Sequence, residues 1–222
     1  DFILKNISRE EIIHVFILGI YTSLRVFTTI LLCTLFWVPI GVWIGLRPNW
    51  ARRVQPVAQF LVSFPSNLLF PPVVSVIVYF SLNVNIWTIP LMILGSQGYI
   101  LFNVIAGANN IPRDLKHVAL NFNLGTKLWW KRLVIPAIFP YFVTGAFTGA
   151  GGAWNASILT EFVSWGNTTL AAQGLGAYIH QYTVSNDFPR IALGIAMMCL
   201  FVTAFNRLIW NPLYNYATER VK

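Results

Sequence analysis

The chain has 222 residues, 56% of them hydrophobic and only 10% charged, with a mean hydropathy of +0.64, whereas soluble domains carry about 25% charged residues. Its formal charge is +8, yet no charged residue lies between Arg53 and Arg113 or between Arg132 and Glu161. These runs exclude a soluble fold with a charged surface. They match the roughly 20 apolar residues that a helix needs to cross a bilayer, and they are too continuous for barrel strands.

Residues 1–17 are read as an external N-terminal segment, in which "ISREEIIHVFI" (7–17) is expected to form an interfacial helix. A first span is predicted over 18–46. Arg25 lies about seven residues inside its outer end and reads as an arginine snorkelling to the headgroups, with an anion contact at a pathway mouth as the functional alternative. The second span, 54–80, holds Pro56, Pro65, Pro71 and Pro72 and is expected to be broken or kinked. The third, 87–108, carries Ser96, Gln97 and Asn103; the last two are six residues apart and do not share one helical face.

A basic loop follows over 109–133. Asn110 is expected to cap a short helix, Pro112 to open it and Asp114 to suit its positive end. Leu115, Ala119 and Phe122 then share one face, and Asn121 and Asn123 suit a left-handed stop. Thr126 is expected to cap a second segment, "KLWWKRLV", ending at Pro136. The stretch reads either as a helix-turn-helix on the membrane surface or as an interfacial loop, with Trp129 and Trp130 at headgroup depth and Lys131 and Arg132 on anionic lipid.

The fourth span, 134–157, includes "TGAFTGAGGAWNAS", where Gly145, Gly149 and Gly152 are expected to permit close helix packing. Residues 164–182, with Gly166, Gly174 and Gly176, are expected to fold back as an external loop or a short gate helix. A fifth span covers 188–211, and 212–222 form a tail. Eleven basic residues fall on the side of the 109–133 loop and four on the other: Lys5, Arg9, Arg25 and Arg190. The positive-inside rule therefore places the N-terminus outside and the C-terminus in the cytoplasm. The chain contains no phosphate-binding loop, zinc-protease motif or nucleophile elbow, and Cys33 and Cys199 sit singly in apolar runs. No catalytic group, metal site or nucleic-acid partner is indicated.

"HVALNFNLGTKLWWKRLVIPAIFP" resembles the cytoplasmic loop of permease subunits in binding-protein-dependent ABC importers. That motif reads E-A-A, three residues, G, nine residues, I-x-L-P, often with a second proline four residues later. Alignment on Pro136 and Pro140 sets His117-Val118-Ala119 on E-A-A and Asn123 on the glycine, so glutamate, the first alanine and glycine are replaced. "SLRVFTTILLCTLFWVPIGVWIGLRP" and "LVSFPSNLLFPPVV" are similar to the first and second core spans of the nitrate, sulfonate, taurine and bicarbonate branch. "EFVSWGNTTLAAQGLGAYIHQYT" resembles the external segment of a subgroup built as two homologous halves in one polypeptide.

The resemblance implies an all-α integral membrane protein, a type I ABC importer permease core. It would form one domain over 1–222, with a five-span core over 18–211 and two short coupling helices within 109–133. It implies no enzyme activity in this chain, ATP and Mg²⁺ being held by a separate ATPase. Arg113, Leu115, His117, Val118, Ala119, Phe122, Asn123 and Lys127 would form the ATPase-coupling surface. An importer pathway calls for a few polar groups on apolar spans, here Gln97, Asn103, Thr148, Asn155, Ser157 and Arg25, with Glu161 at the external boundary, bonding helix ends, contacting a binding protein or lining a gate. Expected partners are a second permease domain, two cytoplasmic ATPase domains, a periplasmic or lipid-anchored solute-binding protein and the lipid bilayer, in a bacterial inner membrane. The expected cargo is a small anion. The alternative is a non-transporting membrane anchor or scaffold subunit of a larger complex.

Overall fold

The computed structural model describes residues 7–63, 66–165 and 168–219. Lys5, Pro65, Gly166, Arg220 and Lys222, used in the sequence reading, lie outside the described residues. Helix α1 runs from Arg9 to Gly45, 37 residues without interruption. Ser8 caps it by accepting the Glu11 N–H at 3.2 Å, and Glu10 and Glu11 suit its first turn. The expected separate interfacial helix over 7–17 is therefore absent. Nothing between Ile17 and Leu18 stops the helix, and the acidic stretch serves as its first turns.

The predicted second span divides in two: α2 (Pro48–Ser63) and α3 (Phe70–Tyr79), with a 3₁₀ turn over Ser66–Leu69. Pro71 sits in the first turn of α3, where its missing N–H costs nothing. At 1.5 Å per residue, 16 and 10 residues reach about 24 and 15 Å, each short of a hydrocarbon core of about 30 Å. Ala51 and Ala58 of α2 are buried with Ile44, Leu101 and Ile105.

Helix α4 covers Val84–Asn109 and α5 covers Arg113–Asn121. Next come α6 (Thr126–Trp129), a π-turn over Trp130–Val134, and α7 (Ile135–Thr160), which together make one continuous helix. Strands β1 (Phe162–Trp165) and β2 (Thr168–Ala171) form an antiparallel hairpin, a small exception to the all-α expectation. Helix α8 spans Leu175–Val184; α9 (Phe188–Phe205), a second π-turn (Asn206–Trp210) and α10 (Asn211–Glu219) form the last continuous helix. The expected tail from 212 is thus helical through Glu219.

Among the described residues, four helices are long and apolar enough to cross a membrane: Arg9–Gly45, Val84–Asn109, Thr126–Thr160 and Phe188–Glu219. The expected fifth crossing is the broken α2–α3 pair. Helix α4 packs most extensively, against α7 on one side and α1 on the other. The three share a core that includes Val26, Ile30, Met92, Ile100, Val104, Ala146 and Ala153. Close approach depends on small residues: a Cβ on Gly145 would stand 2.7 Å from the Tyr99 carbonyl oxygen, and one on Gly152 2.8 Å from that of Gly95. The expected packing role of these glycines is thereby met.

Candidate functional site

The basic loop forms one end of the bundle. Asn110 does not cap α5; it ends α4, giving its N–H to the Ala106 carbonyl at 3.1 Å. Pro112 holds the N-cap position in an extended conformation (φ −55°, ψ 140°). Gly125, not Thr126, precedes α6. Asn123 adopts φ 50°, the left-handed turn expected of it, whereas Asn121 remains helical. The expected shared face of α5 does not pack as a unit. Ala119 is buried, Leu115 and Val118 are exposed, and Leu120 and Phe122 are 74% and 76% exposed. With Leu128 these side chains make an exposed apolar set at this end of the chain. Exposed Arg113, His117 and Lys127 flank it.

The second short helix does not stop at Pro136. Proline has no N–H for the carbonyl four residues earlier, and its ring crowds that carbonyl. The π-turn just before Pro136 widens the helix there, closing with the Ile135 N–H on the Trp130 carbonyl. The same arrangement recurs before Pro212, where the Asn211 N–H reaches the Asn206 carbonyl.

Along α7, Thr144, Thr148, Gly151 and Asn155 are exposed at intervals of four, three and four, and so form a single stripe. A Cβ added at Gly151 would meet nothing within 4 Å. The Thr148 hydroxyl donates to the Thr144 carbonyl at 2.9 Å, and that of Thr144 to the Pro140 carbonyl at 3.1 Å. Beside the stripe lies a groove of about 310 Å³ lined by Thr148, Gly151, Trp154, Asn206 and Trp210. Thr144 escaped the sequence reading, though its place one turn before Thr148 was a usable signal.

The other expected pathway residues lie elsewhere. Ser157 is buried and donates to the Trp154 carbonyl at 2.7 Å. Asn103 turns towards α7, its Cβ beside Gly145 and its amide on the Tyr99 carbonyl at 2.8 Å. Gln97 lines an apolar pocket of about 320 Å³ with Cys33, Trp37 and Ile93.

At the opposite end from the basic loop, Arg25 does not snorkel. It is 6% exposed and Glu161 is 0% exposed, and the guanidinium and carboxylate meet at 2.7 Å. Arg25 also donates to the Asn85 carbonyl at 2.9 Å and to the Asn85 side-chain oxygen at 3.0 Å. Glu161 accepts from the Thr22 hydroxyl at 2.9 Å and the Gly176 N–H at 2.8 Å. Glu161 is thus buried and bonds the start of α8, and the Arg25 charge is matched inside the fold. An arginine inside one apolar span and a glutamate at the same predicted outer end of another were the signal for the pair.

Nearby, Arg190 donates to Glu11 at 2.6 Å and to Asp187 at 2.5 Å, and Tyr178 donates to Glu11 at 3.1 Å. Arg190 holds the Asp187 carboxyl below its ordinary range, and burial, reinforced by Glu11, pushes the Tyr178 phenol up. Glu11, Tyr178 and Arg190 border an open cavity of about 750 Å³.

The chain is 27% identical over 155 residues to the bicarbonate transport system permease protein CmpB of Synechocystis sp., covering 70% of this chain and 52% of that protein. It is 27% identical over 173 residues to the nitrate import permease protein NrtB of Synechococcus elongatus, covering 77% and 58%. The glycine betaine/proline betaine transport system permease protein ProW of Escherichia coli matches at 23% over 124 residues, 56% of this chain and 34% of that one. The chain therefore spans little more than half the length of the bicarbonate and nitrate relatives. In fold it is similar to a chain of the MetNI methionine ABC transporter solved in inward-facing conformations, with a TM-score of 0.74, 15% identity, and 95% and 99% of the two chains covered. Residues 37–210 match the binding-protein-dependent transport system inner membrane component, and this chain belongs to that family.

Proposed function

We propose that this chain is a permease subunit of an ATP-driven importer and that its α7 stripe forms one wall of the path. The stripe carries the proposal: Thr144, Thr148, Gly151 and Asn155 form a file of small and polar groups open to the outside of the single chain, within an apolar belt. Lipid hydrates no amide, so such a file calls for a water-filled cavity and a second permease domain to enclose it. The exposed apolar and basic patch of α5, with Phe122 and Leu120 at its tip, is the surface for a separate ATPase. The positive-inside count puts that patch in the cytoplasm and the β-hairpin end outside, facing a solute-binding protein. Among the named relatives, bicarbonate and nitrate importers make a small oxyanion the cargo class to test first.

The transporter is reconstituted in liposomes with its partner permease domain, ATPase and binding protein, and uptake of nitrate and bicarbonate is measured with and without ATP. ATP-dependent accumulation of either is the expected result. Asn155→Leu should reduce it by an order of magnitude with little change in ATPase association, because one polar contact is removed from the path. Absence of uptake of every solute in an assembled complex would sink the transport reading.

A further inference from the structure

Strands β1 and β2 and helix α8 fold back over the end of the bundle opposite the basic loop and resemble a lid in outline. Their attachments are those of a fixed part. One carboxylate and one guanidinium join four helices. Glu161, at the end of α7, receives Arg25 and Thr22 of α1 and the Gly176 N–H of α8. Thr22 in turn accepts the Leu175 N–H at 2.9 Å, Asn85 at the start of α4 accepts both Arg25 and the Gln173 N–H, and the Ala172 N–H returns to the Glu161 carbonyl at 2.7 Å. The fit leaves no slack: a Cβ on Gly174 would overlap the Glu161 carboxylate, and one on Gly176 the Ser157 carbonyl. Beneath the knot, Leu175 and Tyr178 bury themselves against Val15 and Leu18. A second tie joins Tyr178 to Glu11 farther along the same two helices.

We propose that the Arg25–Glu161 pair pins the end of α7 to α1 and fixes the acceptors to which the hairpin and α8 are fastened, so that this cover moves with α1 as one body and does not swing as a lid. Lids are drawn from the least stable parts of a fold. Lifting this one would take the Gly176 N–H from the buried Glu161 carboxylate and the Leu175 N–H from Thr22 and would uncover the buried ion pair, a cost that a segment made to open in every cycle would avoid. Arg25 and Glu161 are positioning residues on this account, and their mutual neutralisation leaves the outer mouth no positive charge from Arg25. The proposal rests on the transport reading above.

The test uses the assembled transporter with Cys33→Ala and Cys199→Ser. Glu11→Cys and Tyr178→Cys, which border the open 750 Å³ cavity, are joined by a short bismaleimide. A locked cover predicts uptake within about twofold of the same variant before linking, since no hinge is blocked, whereas loss of uptake on linking would show that the segment must swing and overturn the proposal. Separately, Glu161→Gln should raise hydrogen exchange across 162–184 and lower uptake at least about tenfold, and Arg25→Glu with Glu161→Arg should recover part of both. Unchanged exchange in 162–184 would also overturn it; if Glu161→Gln fails to accumulate, the linking experiment decides. Exchange reads the lock and uptake its consequence, so a wild-type complex that carries nothing strikes the transport reading alone.

Discussion

At the scale of single residues, the Arg25–Glu161 pair is the strongest electrostatic commitment in the fold. Both side chains are almost wholly withdrawn from solvent, at 7% and 0% exposure, so the pair's worth depends on what is left when it is broken. Removing one partner strands a buried charge at a cost of about 3–5 kcal/mol, while replacing both by apolar groups of similar volume is near neutral. Glu161→Leu should therefore lower the detergent melting temperature sharply, and Arg25→Met with Glu161→Leu should restore most of it. A double variant as unstable as the worse single one would show that hydrogen bonds to Thr22, Asn85 and Gly176 hold the site, not charge. Arg25 shows where sequence reading stops. Its place on the span was legible, but snorkelling and pairing demand the same residue at the same depth, and the partner lies 136 positions away. Asn123 was legible because its left-handed turn is a local preference of the residue type.

Secondary structure followed local chemistry closely where breakers were absent and poorly where prolines accumulated. The long apolar runs read correctly as helices, and the glycines of α7 as packing sites, because periodicity and side-chain size carry that information. The split of the second predicted span into α2 and α3 depends on how neighbours satisfy the freed backbone groups, which no window of sequence reports. The two π-turns are the sharper case. Each directly precedes a proline, Pro136 or Pro212, and each lies towards the basic-loop end of a helix that lines the α7–α9 groove. A π-turn closes over one residue more than an α-turn, so deleting Leu133 would convert it to a regular turn while keeping the flanks in register. The deletion variant should assemble and hydrolyse ATP yet lose uptake by about an order of magnitude, if the widened turn is where motion of the loop enters the span. Circular dichroism checks that helix content is kept. Uptake equal to wild type would reduce the turn to a way of housing proline.

For the molecule as a whole, what covers the α7 stripe decides the function. The fold likeness to a MetNI chain extends over 95% of the residues at 15% identity, so the architecture is shared at low sequence identity. Two surroundings are open to the stripe, and they differ in water. A cysteine thiol must ionise before it reacts with a charged methanethiosulfonate, and it does so only where water reaches it. In a background of Cys33→Ala and Cys199→Ser, single cysteines at Thr144, Thr148, Gly151 and Asn155 should therefore react in the assembled, membrane-embedded transporter. Cysteines at Ala146 and Ala153, which face the core between them, should stay inert. The expected pattern has the period of a helix and follows one face. Saturating transported solute should protect the middle of the file, Thr148 and Gly151, more than its ends if the solute passes along it. Uniformly unreactive cysteines would put the stripe against lipid or a dry helix interface, and the path would then have to run along another face, with the Gln97 pocket between α1 and α4 the next wall to scan.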